Sequence, residues 1–135
     1  MLNVALLLIC LSGYGTFSIV AMDPETGECG VAVASRVLDV GYIVPWVRAN
    51  VGAVATQALS NPYLGPWALE ELSAGKTAAD ALKAVLAKDT MPEDRQIGII
   101  DQPIHELVVA WDTMNLLCQA SSLHVCTEIV NPVLY

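Results

Sequence analysis

Basic residues are scarce in this chain: six Lys and Arg stand against fourteen Asp and Glu in 135 residues, for a net charge of −8. No stretch gathers those bases into a cluster, so the electrostatic footprint of a nucleic-acid-binding surface is missing and no nucleic-acid partner is expected. The acidity reads as ordinary solubility. Also lacking are a glycine-rich phosphate loop, an H-E-x-x-H pair and a G-x-S-x-G elbow, which removes the common nucleotide-binding, zinc-protease and serine-hydrolase signatures. Histidine and cysteine are sparse too. His105, Cys118, His124 and Cys126 give C-x5-H-x-C without the paired cysteine spacing of common structural zinc sites, so neither metal nor cofactor is assigned. No internal repeat is visible. The length allows one domain, which would bury about two thirds of its unfolded surface.

Charge is absent from Met1 to Gly15, where Val4–Leu11 is an apolar core followed by small, turn-prone residues. Gly13 and Gly15 fit a small-x-small cleavage signature before Thr16, so residues 1–15 are expected to be a signal peptide, although no Lys or Arg stands near the start. An edge strand is the alternative for the same residues. The segment is shorter than the about 20 apolar residues that span a bilayer, so no stable membrane insertion is expected after its removal. A secreted or periplasmic location follows. Cleavage would take Cys10 away and leave Cys29, Cys118 and Cys126, an odd number that argues against a disulfide framework while leaving a Cys118–Cys126 bridge open.

The stretch from Thr16 to Asn61 organises the rest. Phe17–Met22 and Cys29–Ser35 are apolar, β-prone runs on either side of Asp23-Pro24-Glu25-Thr26-Gly27, which predicts a hairpin. Val51–Leu59 predicts a third strand, with Pro45 and Trp46 in the connection. Nearly continuous apolarity predicts sheet covered on both faces. Trp67, Leu69 and Leu72 recur at helical spacing up to Gly75. Thr77 with Asp80 three residues on predicts the N-cap of a helix over Ala78–Lys88, with Ala81, Leu82, Val85 and Leu86 on its inner face. A loop over Asp89–Asp94 leads to strands at Gln96–Ile100 and Glu106–Trp111. Strands, two helices and strands again make an α+β pattern. Trp46, Trp67 and Trp111 are read as core rather than as a ligand platform.

One position carries chemistry by itself. A threonine hydroxyl is a poor nucleophile without a base, and an internal Thr16 has only an amide nitrogen beside it. Cleavage at Gly15–Thr16 would free an amine, whose ordinary pKa near 7.7–8.0 leaves a neutral fraction at pH 7 to act as that base. The plain alternative makes Thr16 the first β-branched residue of a strand.

The phrases TFSIVAMDPETGECGVAVASR, VGYIVPWVRANVGAVATQA and NPYLGPWALEELSAGKTAADAL resemble, in that order, the domain of unknown function 1028 family, grouped with the Ntn hydrolases. The resemblance covers residues 16–113 and leaves 114–135 as a divergent tail. It implies an Ntn-hydrolase-like αββα sandwich, incomplete in so short a chain, and an amidohydrolase or peptidase acting on a small-molecule or peptide amide. A catalytically inactive ligand- or partner-binding domain of the same fold, and a truncated product without function, stay open beside it. Thr16 takes the place of the nucleophile. Arg36 would depress the amine pKa and hold an anionic substrate group, with Arg48 in a similar substrate-binding place; surface pairing with a carboxylate such as Asp39 is the alternative for both. GAVATQ lies where the superfamily aims amides at the oxyanion, with Gln57 as a donor and Thr56 and Asn61 near the substrate. A missing layer would expose an apolar sheet face, which predicts a homo-oligomer.

Overall fold

The structure, a computed structural model, describes residues 5–10, 16–23, 25–102, 107–110 and 128–130, with backbone alone for 5–10, 17, 107–110 and 128–130. Strands β2 (Phe17–Met22) and β3 (Cys29–Ala34) form the expected antiparallel hairpin, with Val20 opposite Val31 and Met22 opposite Cys29. Its turn is fixed by Asp23, whose carboxylate accepts the Glu25 N–H at 2.8 Å while its carbonyl accepts the Gly27 N–H at 2.8 Å. Gly27 takes φ 73°, a left-handed conformation that costs glycine little. On the other side of β2 lies β1 (Ala5–Cys10), antiparallel, from Ala5 opposite Met22 to Cys10 opposite Phe17. The segment read as a leader thus contributes an edge strand to a three-stranded sheet, β1-β2-β3.

The second sheet has the order β4-β5-β6-β7-β8, from Pro45–Arg48, Gly52–Gln57, Gln96–Asp101, Leu107–Ala110 and Glu128–Val130. Neighbours pair antiparallel except β7 and β8, which run parallel. Pro45 and Trp46 lie in a strand, not in a connection. Proline is tolerated there because it is the first residue of an edge strand, where a missing amide proton breaks no inner ladder. Within the sequence tail, Glu128–Val130 extends the sheet; Cys118, His124 and Cys126 lie outside the described residues, as do His105 and Trp111.

The two sheets pack face to face. Val20 and Met22 of the small sheet meet Ala53, Ala55 and Ile100 of the large one, and Val44, after the one-turn helix α1 (Val40–Ile43), joins them. The Cys29 Sγ lies 3.7 Å from the Gly52 carbonyl, and burial pushes its thiol pKa up. The opposite face of the large sheet carries α2 (Leu64–Ser73) and α3 (Ala78–Lys88), through Val54, Ile97 and Ile99 against Leu64, Leu69, Leu82 and Val85. Gly65 of α2 lies so close to the Trp46 ring that a Cβ there would enter the indole. The described architecture is therefore mixed α+β, in the layer order small sheet, large sheet, helices. The small sheet departs from the expectation of two covered faces: Gly30, Ala32 and Ala34 point outward and are exposed. Small residues make an outward face look as apolar in sequence as a buried one.

Both helices are tied down at their ends. The Thr77 hydroxyl accepts the Asp80 N–H at 3.3 Å, as the spacing predicts, and the buried Asp101 carboxylate accepts the Ala78 N–H at 3.1 Å, placing negative charge at the N-terminus of α3. Glu71 of α2 meets Lys76 at 2.6 Å and Lys88 of α3 at 2.7 Å, so the hairpin of helices is closed by charge. Hydrogen bonds from Lys76 and then Lys88 hold the Glu71 carboxyl down to about 2 from 4.5. A depressed carboxyl pKa contributes stability that is complete above its unfolded value and is lost as pH falls through its folded value. In urea titrations, the stability gap between the native chain and Glu71→Gln is therefore expected to be widest above about pH 5 and to close toward pH 2. A gap independent of pH would show that the ion pairs contribute nothing.

Candidate functional site

The inter-sheet layer carries a cluster of polar side chains at one of its ends. Direction along it is set by the contact of Cys29 with Gly52 and by Gln102 against Gly27, which put the β2–β3 turn beside the start of β5. The other ends of these strands then coincide: Thr16 and Ser35 from the small sheet, Gln57 and Gln96 from the large one. Thr16 and Ser35 continue the β2–β3 register by one step beyond Phe17 and Ala34, and their hydroxyls lie 2.6 Å apart. The Ser35 Oγ also accepts the Val37 N–H at 3.1 Å, which fixes the start of the loop after β3. Gln57 and Gln96 are opposite each other in register, and the Gln57 Nε2 donates to the Gln96 Oε1 at 3.5 Å. By strand alternation both face the small sheet, as Ala55 and Ile100 do. Ser18, two residues beyond Thr16 on the same inward face, is completely buried.

Apolar side chains rim this end. Val37 and Leu38 follow β3, Tyr42 lies on α1, and Leu59 follows β5; Leu38 is 88% and Tyr42 82% exposed. Residues 36–39, 41 and 42 of the connection between β3 and β4 are all exposed. Arg36 is exposed next to Ser35, and among the described residues no carboxylate pairs with it.

Of the residues singled out in the sequence, Thr16 and Gln57 lie at this end, Arg36 follows Ser35 in the chain and is exposed, and the others have different tasks. Arg48 lies at the opposite end of β4, opposite Gly52, where its Nη1 donates to the Ser73 Oγ at 2.8 Å and the Leu69 carbonyl at 3.4 Å, closing the last turn of α2. The Thr56 hydroxyl is spent on the Ile43 carbonyl at 2.8 Å, anchoring α1. Asn61 donates to the Asp89 carboxylate at 3.0 Å and accepts the Tyr63 N–H at 3.0 Å, a turn that starts α2. The backbone of Gly52–Gln57 is flanked by β4 and β6, so its amides serve the ladders, and the Gln57 side chain is left as the donor of that segment.

The family described as a family of unknown function, DUF1028, matches residues 16–124. The chain belongs to the DUF1028 family. A solved structure of a Silicibacter pomeroyi protein of the same family is similar to it, with a TM-score of 0.60 and 37% sequence identity over 64% of this chain and 40% of that one. The chain thus matches less than half the length of that relative. No curated protein matches.

Sequence reading missed the partners that complete this end of the DUF1028 fold: Ser35, Ser18 and Gln96. A signal existed for Ser18, a hydroxyl among Val20 and Met22 on the buried face of one strand. Gln96 becomes meaningful only once register sets it opposite Gln57. Also missed was the brace that holds the β5–α2 loop. Arg95 donates through Nε to Asp89 Oδ2 at 2.5 Å and through Nη2 to Oδ1 at 3.1 Å, with both side chains nearly buried, and its Nη1 donates to the Leu59 carbonyl. Arg95 and Asn61 hold the Asp89 carboxyl below the usual carboxylate range. The loop needs a brace, because Ala58 and Leu59 take φ 50° and 22°, costly for residues with a Cβ. Asp89→Ala would strand a buried guanidinium and is expected to lower unfolding stability by about 3–5 kcal/mol, with Asp89→Leu/Arg95→Met recovering most of the loss. Urea denaturation tests this; a loss below about 1 kcal/mol for Asp89→Ala would deny the brace its role.

Proposed function

We propose that this chain bears the nucleophile of an Ntn-hydrolase-type amidohydrolase, secreted or periplasmic, that uses Thr16 once the Gly15–Thr16 bond is cut. The observation that carries the reading is the 2.6 Å pair of Thr16 and Ser35 hydroxyls at the end of the inter-sheet layer shared with Gln57 and Gln96, with Arg36 next to Ser35 in the chain. The two packed sheets with helices on one side match three layers of an αββα sandwich, which supports the reading. In the reaction, the free Thr16 amine takes the hydroxyl proton as Oγ1 adds to the substrate amide carbon. Gln57 donates to the oxyanion, and the exposed Arg36 keeps the amine neutral and holds an anionic group of the substrate. Collapse breaks the C–N bond, the leaving amine accepts the proton, and water then cleaves the acyl-threonine ester, restoring the hydroxyl and releasing the acid. Substrates are amides of small molecules or peptides, and the apolar rim of Leu38, Tyr42 and Leu59 favours those with an apolar portion.

A second reading, a ligand-binding domain without catalysis, draws on the pairing of Ala5–Cys10 with β2. While that strand stays attached, the Thr16 nitrogen is an amide and cannot act as the base. N-terminal sequencing of the exported protein separates the two. The hydrolase reading expects a chain beginning at Thr16 that an amide-mimicking acylating probe labels, with labelling lost in Thr16→Ala and kept in Thr16→Ser. A mature chain beginning ahead of Thr16 would overturn it and leave the binding domain.

Self-association is part of the same proposal. The outer face of β2 and β3, with Ile19 and Ala21 half-buried and Gly30, Ala32 and Ala34 exposed, is flat, apolar and without a covering layer among the described residues. Light scattering of the purified chain is expected to give a dimer or larger species. A monomer at every concentration would remove self-association from the reading.

A further inference from the structure

Three buried polar atoms at the Thr16 end of the inter-sheet layer have no hydrogen-bond partner: the Ser18 Oγ, the Gln57 Oε1 and the Gln96 Nε2. Their residues are 0%, 1% and 1% exposed. Leaving a buried polar atom unmet costs about 1–3 kcal/mol, and native proteins leave few of them so. Three together call for a shared partner.

Geometry brings them to one place. Ser18 opposes Val33 on the inward face of β2, four residues from Met22; Gln57 is five residues along β5 from Gly52. Met22 pairs with Cys29, whose Sγ touches the Gly52 carbonyl, so the Ser18 and Gln57 levels agree to within about one residue. Packed sheets lie about 10 Å apart. A serine reaching from one face and two glutamines from the other span most of that gap, so a partner shared by all three would have to be a small polar molecule.

We infer that Ser18, Gln57 and Gln96 enclose an internal site for one water molecule. The donor and acceptor inventory fits: a water donates to the Gln57 Oε1, accepts from the Gln96 Nε2, and exchanges a third hydrogen bond with the Ser18 hydroxyl, which can serve in either sense. Exchanging O and N in both carboxamides keeps one free acceptor and one free donor, so the fit does not depend on their assignment. The site lies about 6–7 Å below the Thr16–Ser35 hydroxyl pair, the distance of two residues along β2. It stands whether or not Thr16 acts as a nucleophile.

Thermal stability of single and combined variants tests the inference because the sign of the effect depends on the water. With a water in place, Ser18→Ala removes one of its three hydrogen bonds, lowering Tm by roughly 3–8 °C. Without a water, Ser18→Ala deletes a hydroxyl that has no partner and leaves Tm equal or higher, which would overturn the site. The triple variant Ser18→Ala/Gln57→Leu/Gln96→Leu, which leaves nothing to satisfy, is expected to regain most of the lost Tm. A second measurement does not depend on any variant folding. A high-resolution crystal structure of the native chain is expected to show one ordered water within hydrogen-bond distance of all three side chains. Density with the carboxamides paired directly to Ser18 and no water between them would overturn the inference.

Discussion

Burial of β5 and β6 on both faces is the constraint on which the other elements depend. All six residues of each strand are buried, with Val54, Ile97 and Ile99 turned to the helices and Ala53, Ala55 and Ile100 turned to the small sheet. Two separate apolar clusters therefore share one pair of strands, and neither the helical pair nor the small sheet has an apolar partner of comparable extent elsewhere among the described residues. The register of β5 against β6 fixes both clusters at once, since a slip of one residue would exchange the two faces. Alanines at positions 53 and 55 allow the sheets to close without long side chains between them. The same exchange of faces would carry Gln57 and Gln96 from the inter-sheet layer to the helix side, so the polar end exists only in this register.

That polar end also explains why the chain tolerates strain nearby. Ala58 and Leu59 occupy left-handed backbone immediately after Gln57, and the Arg95–Asp89 pair holds them from the far side through the Leu59 carbonyl. A buried ion pair is a weak source of net stability but a firm source of geometry, because its partners cannot separate without leaving a charge in the interior. The loop that turns away from Gln57 is consequently set by two residues from the α3–β6 junction, not by its own sequence. Asn61 adds a neutral arm to the same carboxylate while starting α2.

What was legible in the sequence was local. Thr77 and Asp80 announced the start of α3, and the spacing of Ala81, Leu82 and Val85 announced its buried face, because a cap and a helical stripe are decided within a few residues. The Asp23–Gly27 turn was legible for the same reason. Layer assignment was less so: Gly30, Ala32 and Ala34 read as interior residues and lie outside, since small side chains do not reveal which face of a strand is covered. Pro45 read as a break and begins a strand. Of the residues singled out in the sequence, Thr16 and Gln57 lie toward one end of the inter-sheet layer, while Arg48, Thr56 and Asn61 are drawn into structural bonds that depend on Leu69, Ile43 and Asp89, partners 13 to 28 residues away. Ser35 and Gln96 acquire their neighbours only through strand pairing across the chain, which no short window contains.

The position of Cys29 has a chemical consequence of its own. A sulfur turned inward against the Gly52 carbonyl, and kept protonated by its surroundings, is a slow participant in thiol–disulfide exchange. In the folded chain such a group stays out of disulfide bridges, and the hairpin that carries it is held by strand pairing.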